Sequence, residues 1–392
     1  MIYDPPRHEA LTDTAWDEAR ARATIEAIAA DVDASFDEQA LWPKHPLDEG
    51  TPGSDGYKCL YHGAAGVIWA QVYLSEQGVA ETREWSSFAG ALVEHYRAAP
   101  DTRPAVASFW LGEVGVLLAA WRLDRDAVDV ELLYRLIETN RDNVANEPMW
   151  GAPGTMLAAL FIHQGTGEAR WRGLFDADAS ALMERWERID EAGCSLWRQN
   201  LYGEIVDQVG AGHGMAGNAS SILRGGPNDA AKALAAEALR ATAIEDDGLA
   251  NWPQYAITPR RGRTDLLVQW CHGAPGMITS LSAALDDDES DRMLRAGGEL
   301  TWRAGPLAKG AGLCHGTAGN GFAFLELFRR TGDELWLDRA RRFAMHAIEQ
   351  SDRMAARHGR RRYSLWTGDP GVAIYLHSCL IGHAGMPLLD VF

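Results

Sequence analysis

Two stretches decide how this chain is read: Trp270-Cys271-His272-Gly273-Ala274-Pro275-Gly276 and Leu313-Cys314-His315-Gly316-Thr317-Ala318-Gly319. Each joins a Cys-His pair to two glycines three residues apart, with an apolar segment after them. The glycine pair recurs at Gly63/Gly66, Gly112/Gly115, Gly151/Gly154, Gly214/Gly217 and Gly368/Gly371, seven copies in all. From first Gly to first Gly the intervals are 49, 39, 63, 59, 43 and 52 residues. Each interval fits two helices and their connections, and little else.

After most motifs the sequence is apolar on nearly all sides, as in Val67–Leu74 and Phe322–Phe328, which predicts buried helices. Amphipathic stretches lie between them. Over Asp333–Gln350, Trp336, Ala340, Phe343, Ala344, Ala347 and Ile348 share one face, with Arg339, Arg341 and Arg342 as polar partners. Period-2 alternation is almost absent. The chain therefore reads as all-α and as one domain over residues 1–392. The architecture expected is a seven-fold (α/α)7 toroid, with buried helices as an inner ring and amphipathic helices as an outer ring. Seven unequal repeats without distinct caps suit closure better than an open solenoid. A helix over Asp17–Ala34 is expected to be the outer helix of the first repeat. The paired glycines allow neighbouring backbones to approach, and Pro153, Pro275 and Pro370 fit a first helical turn.

Composition narrows the function. The 392 residues are 46% hydrophobic and 23% charged, a globular balance. A net charge of −18 disfavours nonspecific nucleic-acid binding, which needs Lys and Arg against phosphates. There is no leader-like start and no uncharged apolar stretch near the roughly 18 residues that span a bilayer. Five scattered cysteines do not form a disulfide framework, so a reducing cytoplasm is expected. Fifteen Trp predict large packed surfaces or a lined cavity.

In a closed ring, equivalent positions converge on one end of the axis. The residue two before the first Gly is Tyr61, Trp110, Met149, Gly212, Cys271, Cys314 and Trp366. Cysteine occurs there only in the fifth and sixth repeats, which are neighbours, and His315 follows Cys314. Two thiolates and an imidazole with one position left open match catalytic rather than closed structural zinc, so one Zn²⁺ per chain is expected on Cys271, Cys314 and His315. Lone cysteines in a helix-rich core are usually packing residues, and Cys59, Cys194 and Cys379, which lack the shared repeat position, are read as core or surface thiols. His62, His213, His272 and His315 each precede the first Gly of a repeat. His213 is the first candidate for proton transfer, with His272 as helper or orienter. Glu147 lies four residues before Gly151, within reach of the mouth or as a helix-capping acid. A basic run, Arg353 to Arg362, leads into the seventh motif, and Arg260–Arg263 precedes the fifth; either could attract an anionic thiol.

The stretches Gln269–Gly276, Lys309–Gly321 and Tyr363–Trp366 resemble the lanthionine synthetase C-like family, and the resemblance covers essentially the whole chain. It implies a seven-fold α/α toroid with zinc on the equivalents of Cys271, Cys314 and His315. Bacterial lanthipeptide cyclases typically carry Tyr, Arg and Asp where this chain has His272, Leu267 and Glu147. These departures, and Lys309, resemble the stand-alone members known from eukaryotes, which bind glutathione and add its thiol to dehydroamino acids in proteins. The expected function is zinc-dependent addition of a thiol such as glutathione to a dehydroalanine- or dehydrobutyrine-type residue. His213, His272, Glu147 and Lys309 are the catalytic candidates, and Lys309, Arg361, Arg362, Tyr363 and Ser364 the substrate-binding ones. The alternatives are lanthipeptide cyclisation of a precursor peptide and a non-catalytic zinc- and glutathione-binding sensor or adaptor. A sugar epimerase or glycosidase on an α/α toroid is disfavoured, because paired acids at the mouth are lacking.

Overall fold

The computed structural model describes residues 2–48, 56–257 and 266–392. In chain order the helices are α1 (Glu18–Ala34), α2 (Ala64–Glu76), α3 (Ala89–Ala98), α4 (Glu113–Leu123), α5 (Val130–Asn140), α6 (Ala152–Thr166) and α7 (Ala169–Glu184). They continue as α8 (Met215–Arg224), α9 (Asp229–Ala241), α10 (Ala274–Leu281), α11 (Asp288–Ala304), α12 (Thr317–Thr331), α13 (Glu334–His358) and α14 (Asp369–Ile381). The even-numbered helices follow the glycine motifs and form the inner ring. Each touches the next, and α14 returns to α2, so the ring is closed. Every residue of α10 is buried, whereas α13 buries one face, with Trp336, Ala340, Phe343, Ala344 and Ala347 inward. Arg339 departs from its expected role as an outer polar partner. It is buried, paired with Glu299 at 2.7 Å and laid over the Trp336 ring.

The second glycine of each motif has a common reason. A Cβ on Gly319 would overlap the carbonyl oxygen of Leu313, six residues earlier, and would press on Trp270 of the preceding repeat. Gly66 stands in the same relation to Leu60 and to Leu365 of the seventh repeat. The turn before each inner helix thus folds back onto its first residues, and the neighbouring repeat packs on the same spot. The close approach is both within a repeat and between repeats, more than the sequence reading proposed.

The first helix corrects an expectation. Asp17 caps α1 by accepting from the Arg20 backbone N–H at 3.0 Å. However, α1 lies chiefly against α14, the last inner helix, and reaches α2 through Gln71 Nε2, which donates to the Ala29 carbonyl at 2.9 Å. It covers the seam where the ring closes rather than serving the first repeat alone.

The two longest intervals hold more than helices. Among the described residues three antiparallel hairpins occur there: β1 (Glu187–Ile189) with β2 (Cys194–Leu196), β3 (Gln199–Leu201) with β4 (Glu204–Val206), and β5 (Ile244–Asp246) with β6 (Leu249–Asn251). Among the described residues no helix is long and apolar enough to cross a membrane.

Candidate functional site

The position two before the first Gly forms a girdle around one end of the ring. Gly212 N–H donates to Cys271 O at 3.2 Å, Cys271 N–H to Cys314 O at 3.1 Å, and Cys314 N–H to Trp366 O at 2.9 Å. Trp366 N–H then donates to Tyr61 O at 3.3 Å, and Tyr61 N–H to Trp110 O at 3.0 Å. Side chains make the remaining joints. Ser108 Oγ donates to Met149 O, and His213 Nδ1 donates to Glu147 Oε2 at 2.7 Å between the fourth and third motifs. Trp110, Trp270 and Trp366 fill the ring centre, with centroids 4.7 Å and 4.5 Å from Trp366.

The girdle sets Cys271 beside Cys314. Their sulfurs and a ring nitrogen of His315 all lie within 4.8 Å of one another. Both thiols are buried, and all five cysteines of the chain are free. Cys314 is held well below the usual thiol range, first by the hydrogen bond from Cys271 and then, against burial, by His315 and Tyr61. The same hydrogen bond, together with burial, pushes Cys271 up. Gln269 Nε2 donates to Cys271 Sγ at 3.0 Å. Gly273, at φ 108°, turns the backbone between Cys271 and α10, a conformation that favours glycine. Two buried soft sulfurs and one half-buried imidazole in a single cluster fit zinc and leave room for a further ligand.

His213 and Glu147 stand next to this cluster. Burial alone would lower the His213 pKa, but the Glu147 charge and hydrogen bond outweigh it and raise it. The Glu147 carboxylate is fully buried and also accepts the backbone N–H groups of Met149 at 3.0 Å and Trp150 at 2.7 Å. Those bonds hold it rigidly, so it orients His213 from behind and caps the turn into α6. The His213 side chain keeps 26% of its surface open, facing His272 with ring centroids 6.1 Å apart.

A cavity of about 320 Å³ opens beside His315, in the size range of small-molecule sites. His62, Lys309, Arg360 and Arg362 line it. Lys309 is exposed there, and its charge favours the thiolate of Cys271. Burial brings His62 down to about 4, so it lines the cavity as a neutral ring. Arg362 is anchored by Asp48 at 2.7 Å and by the Thr367 carbonyl at 3.1 Å.

Three residues expected to bind substrate are placed elsewhere. Arg361 reaches Ser351 at 2.8 Å and Asp369 at 3.5 Å. The Tyr363 hydroxyl donates to Asp31 at 2.9 Å, on α1. Ser364 Oγ bonds Thr367 Oγ1 at 2.7 Å and is buried. None of the three lines the cavity: along this segment Arg360 and Arg362 face it and the alternate residues Arg361 and Tyr363 face away, while Ser364 is taken up by its bond to Thr367. Arg353 pairs with Glu9 at 2.7 Å, and Arg260–Arg263 lies outside the described residues. Sequence reasoning also passed over Tyr61, whose hydroxyl bonds the Cys314 sulfur. The signal was available, since Tyr61 occupies the same repeat position as both cysteines.

A toroid with a Cys₂His cluster at one mouth defines the class, and the comparisons give the family. The chain belongs to the lanthionine synthetase C-like family, whose model matches residues 56–384. It is 28% identical over 300 residues to "Glutathione S-transferase LANCL1" of Danio rerio, covering 70% of this chain and 71% of that one. It is 40% identical over 129 residues to "LanC-like protein GCL1" of Arabidopsis thaliana, covering 31% of this chain and 28% of that one. The solved structure of "Nisin cyclase" superposes with a TM-score of 0.61 at 15% identity, over 92% of this chain and 94% of that one, which establishes the shared fold.

Proposed function

We propose that this protein adds a thiol, glutathione by preference, to an α,β-unsaturated amino-acid residue and forms a thioether. The observation that carries the reading is the convergence of Cys271, Cys314 and His315 beside a cavity lined by Lys309 and Arg362. The glutathione S-transferase name of the Danio rerio relative supports the choice of thiol. Cys271, Cys314 and His315 would hold zinc, which when bound supplies the Lewis acidity that ionises a thiol near neutral pH.

The chain's own groups carry the remaining steps. Arg362 and Lys309 receive the carboxylates of the thiol and hold its sulfur toward the cluster. The sulfur adds to the β-carbon; a C–S bond forms as the C=C π bond breaks, leaving an enolate. Protonated His213, kept charged by Glu147, delivers its proton to the α-carbon. The proton released when the thiol ionises restores His213, so thiol and alkene give thioether with no other reactant. Lys309 also offsets developing enolate charge.

The test is incubation of the zinc-loaded protein with glutathione and a dehydroalanine peptide, followed by mass spectrometry. A peptide heavier by one glutathione, formed faster than without protein, is expected. An unmodified peptide, with glutathione binding intact, would leave the binding-protein alternative standing.

A further inference from the structure

The site mouth has two unlike halves. The residue just before the first Gly is His62, Leu111, Trp150, His213, His272, His315 and Thr367 around the ring. It is polar in five repeats and apolar in two consecutive ones, the second and third. The polar half carries the cations Lys309, Arg360 and Arg362. The apolar half continues outward. Trp150 meets the Tyr202 ring edge-on at 6.3 Å, and Tyr202 forms the tip of the β3–β4 hairpin. Val144 lies alongside, its carbonyl accepting from Asn200 N–H at 3.1 Å. Val144, Tyr202 and Ile205 are 63%, 78% and 60% exposed, the most open large hydrophobic side chains among the described residues. The hairpin runs directly into the loop that carries His213.

We propose that this arc, Leu111, Trp150, Tyr202, Ile205 and Val144, is the docking surface for the unsaturated reactant, an extended polypeptide segment with apolar side chains flanking the reacting residue. The inference rests on the thiol-addition reading and deepens it. Three observations favour this occupant. The arc adjoins Glu147, and through it His213, at Trp150, whose backbone N–H donates to Glu147. It lies apart from the cations that suit an anionic thiol, so the two reactants approach by different halves of the mouth. It is also small: a stable interface between globular partners takes roughly 20–30 residues a side, whereas a handful of apolar side chains suits a short segment.

The test uses full-length, zinc-loaded protein carrying Tyr202→Ser and Ile205→Ser together, two exposed side chains outside the reacting groups. Glutathione addition is measured with N-acetyl-dehydroalanine amide and with a dehydroalanine peptide flanked by Leu and Phe. Binding of a fluorescent alanine analogue of that peptide is followed by anisotropy. We expect kcat/KM for the flanked peptide and affinity for its analogue to fall about tenfold, with the small acceptor unaffected. Equal loss on both acceptors, or no loss on either, overturns the surface while leaving thiol addition in place. Should the wild type modify neither acceptor, thiol addition fails, and anisotropy alone decides: weaker binding by the variant upholds the surface, equal binding overturns it. Conversion of a dimer to monomer by the substitutions, with peptide binding unchanged, marks a self-association face and also overturns it.

Discussion

In the proposed reaction Glu147 serves to keep the His213 imidazole protonated to higher pH. Its charge and hydrogen bond raise the His213 pKa against the effect of burial. A raised imidazole pKa keeps the acid form populated to higher pH, and activity is lost as pH rises through it. Glu147→Gln keeps the shape and removes the charge, so the alkaline fall of kcat should move to lower pH. His213→Ala should retain zinc and thiol binding and lose roughly 10²-fold or more in addition. An unshifted pH profile in Glu147→Gln would show that Glu147 serves only the turn before α6. The two neighbouring arginines separate in the same way. Arg362→Ala should raise the KM for glutathione more than for an uncharged thiol, with the gap narrowing in salt. Arg361→Ala should instead lower the melting temperature through the buried Asp369 and leave that KM ratio unchanged. Equal effects of Arg362→Ala on charged and neutral thiols would contradict the assignment.

At the scale of elements, the inner helices were legible because glycine spacing and unbroken apolar runs both follow from burial. Their turns were legible only in part: the overlap of Gly319 with the Leu313 carbonyl is a three-dimensional fact that the GxxG pattern merely hints at. Gly319→Ala should therefore destabilise by roughly 1–3 kcal/mol or more, since backbone cannot give way as a side chain can. Gly173→Ala is the control, exposed within α7 with open space at its Cβ, and should stabilise by about 0.5–1 kcal/mol. Denaturant midpoints of the two variants measure both; a neutral Gly319→Ala would contradict the packing account. The hairpins were missed because strands of three residues carry no readable alternation. Asp247-Gly248, both at positive φ, was a turn signal in plain sight. The substrate-side assignments of Arg361 and Tyr363 failed for a related reason, since an extended segment alternates its faces and the sequence does not say which face meets the cavity.

At the scale of the molecule, closure converts sequence register into geometry. Cys271 and Cys314 are 43 residues apart, yet the girdle bonds one to the other because their repeats are adjacent. That logic made the cluster legible before any coordinates, whereas the seam beneath α1 and the cavity outline depended on how the ends of the chain pack. The central claim is that this register builds one zinc site. The measurement is zinc per chain, by elemental analysis, in the wild type and in Cys271→Ala, Cys314→Ala and Cys194→Ala, with helical content followed by circular dichroism. The account predicts one zinc in the wild type and in Cys194→Ala, whose thiol lies buried in a hairpin away from the cluster. It predicts loss from Cys271→Ala and Cys314→Ala with helical content retained. Full zinc in Cys314→Ala, or none in the folded wild type supplied with the metal, would contradict it.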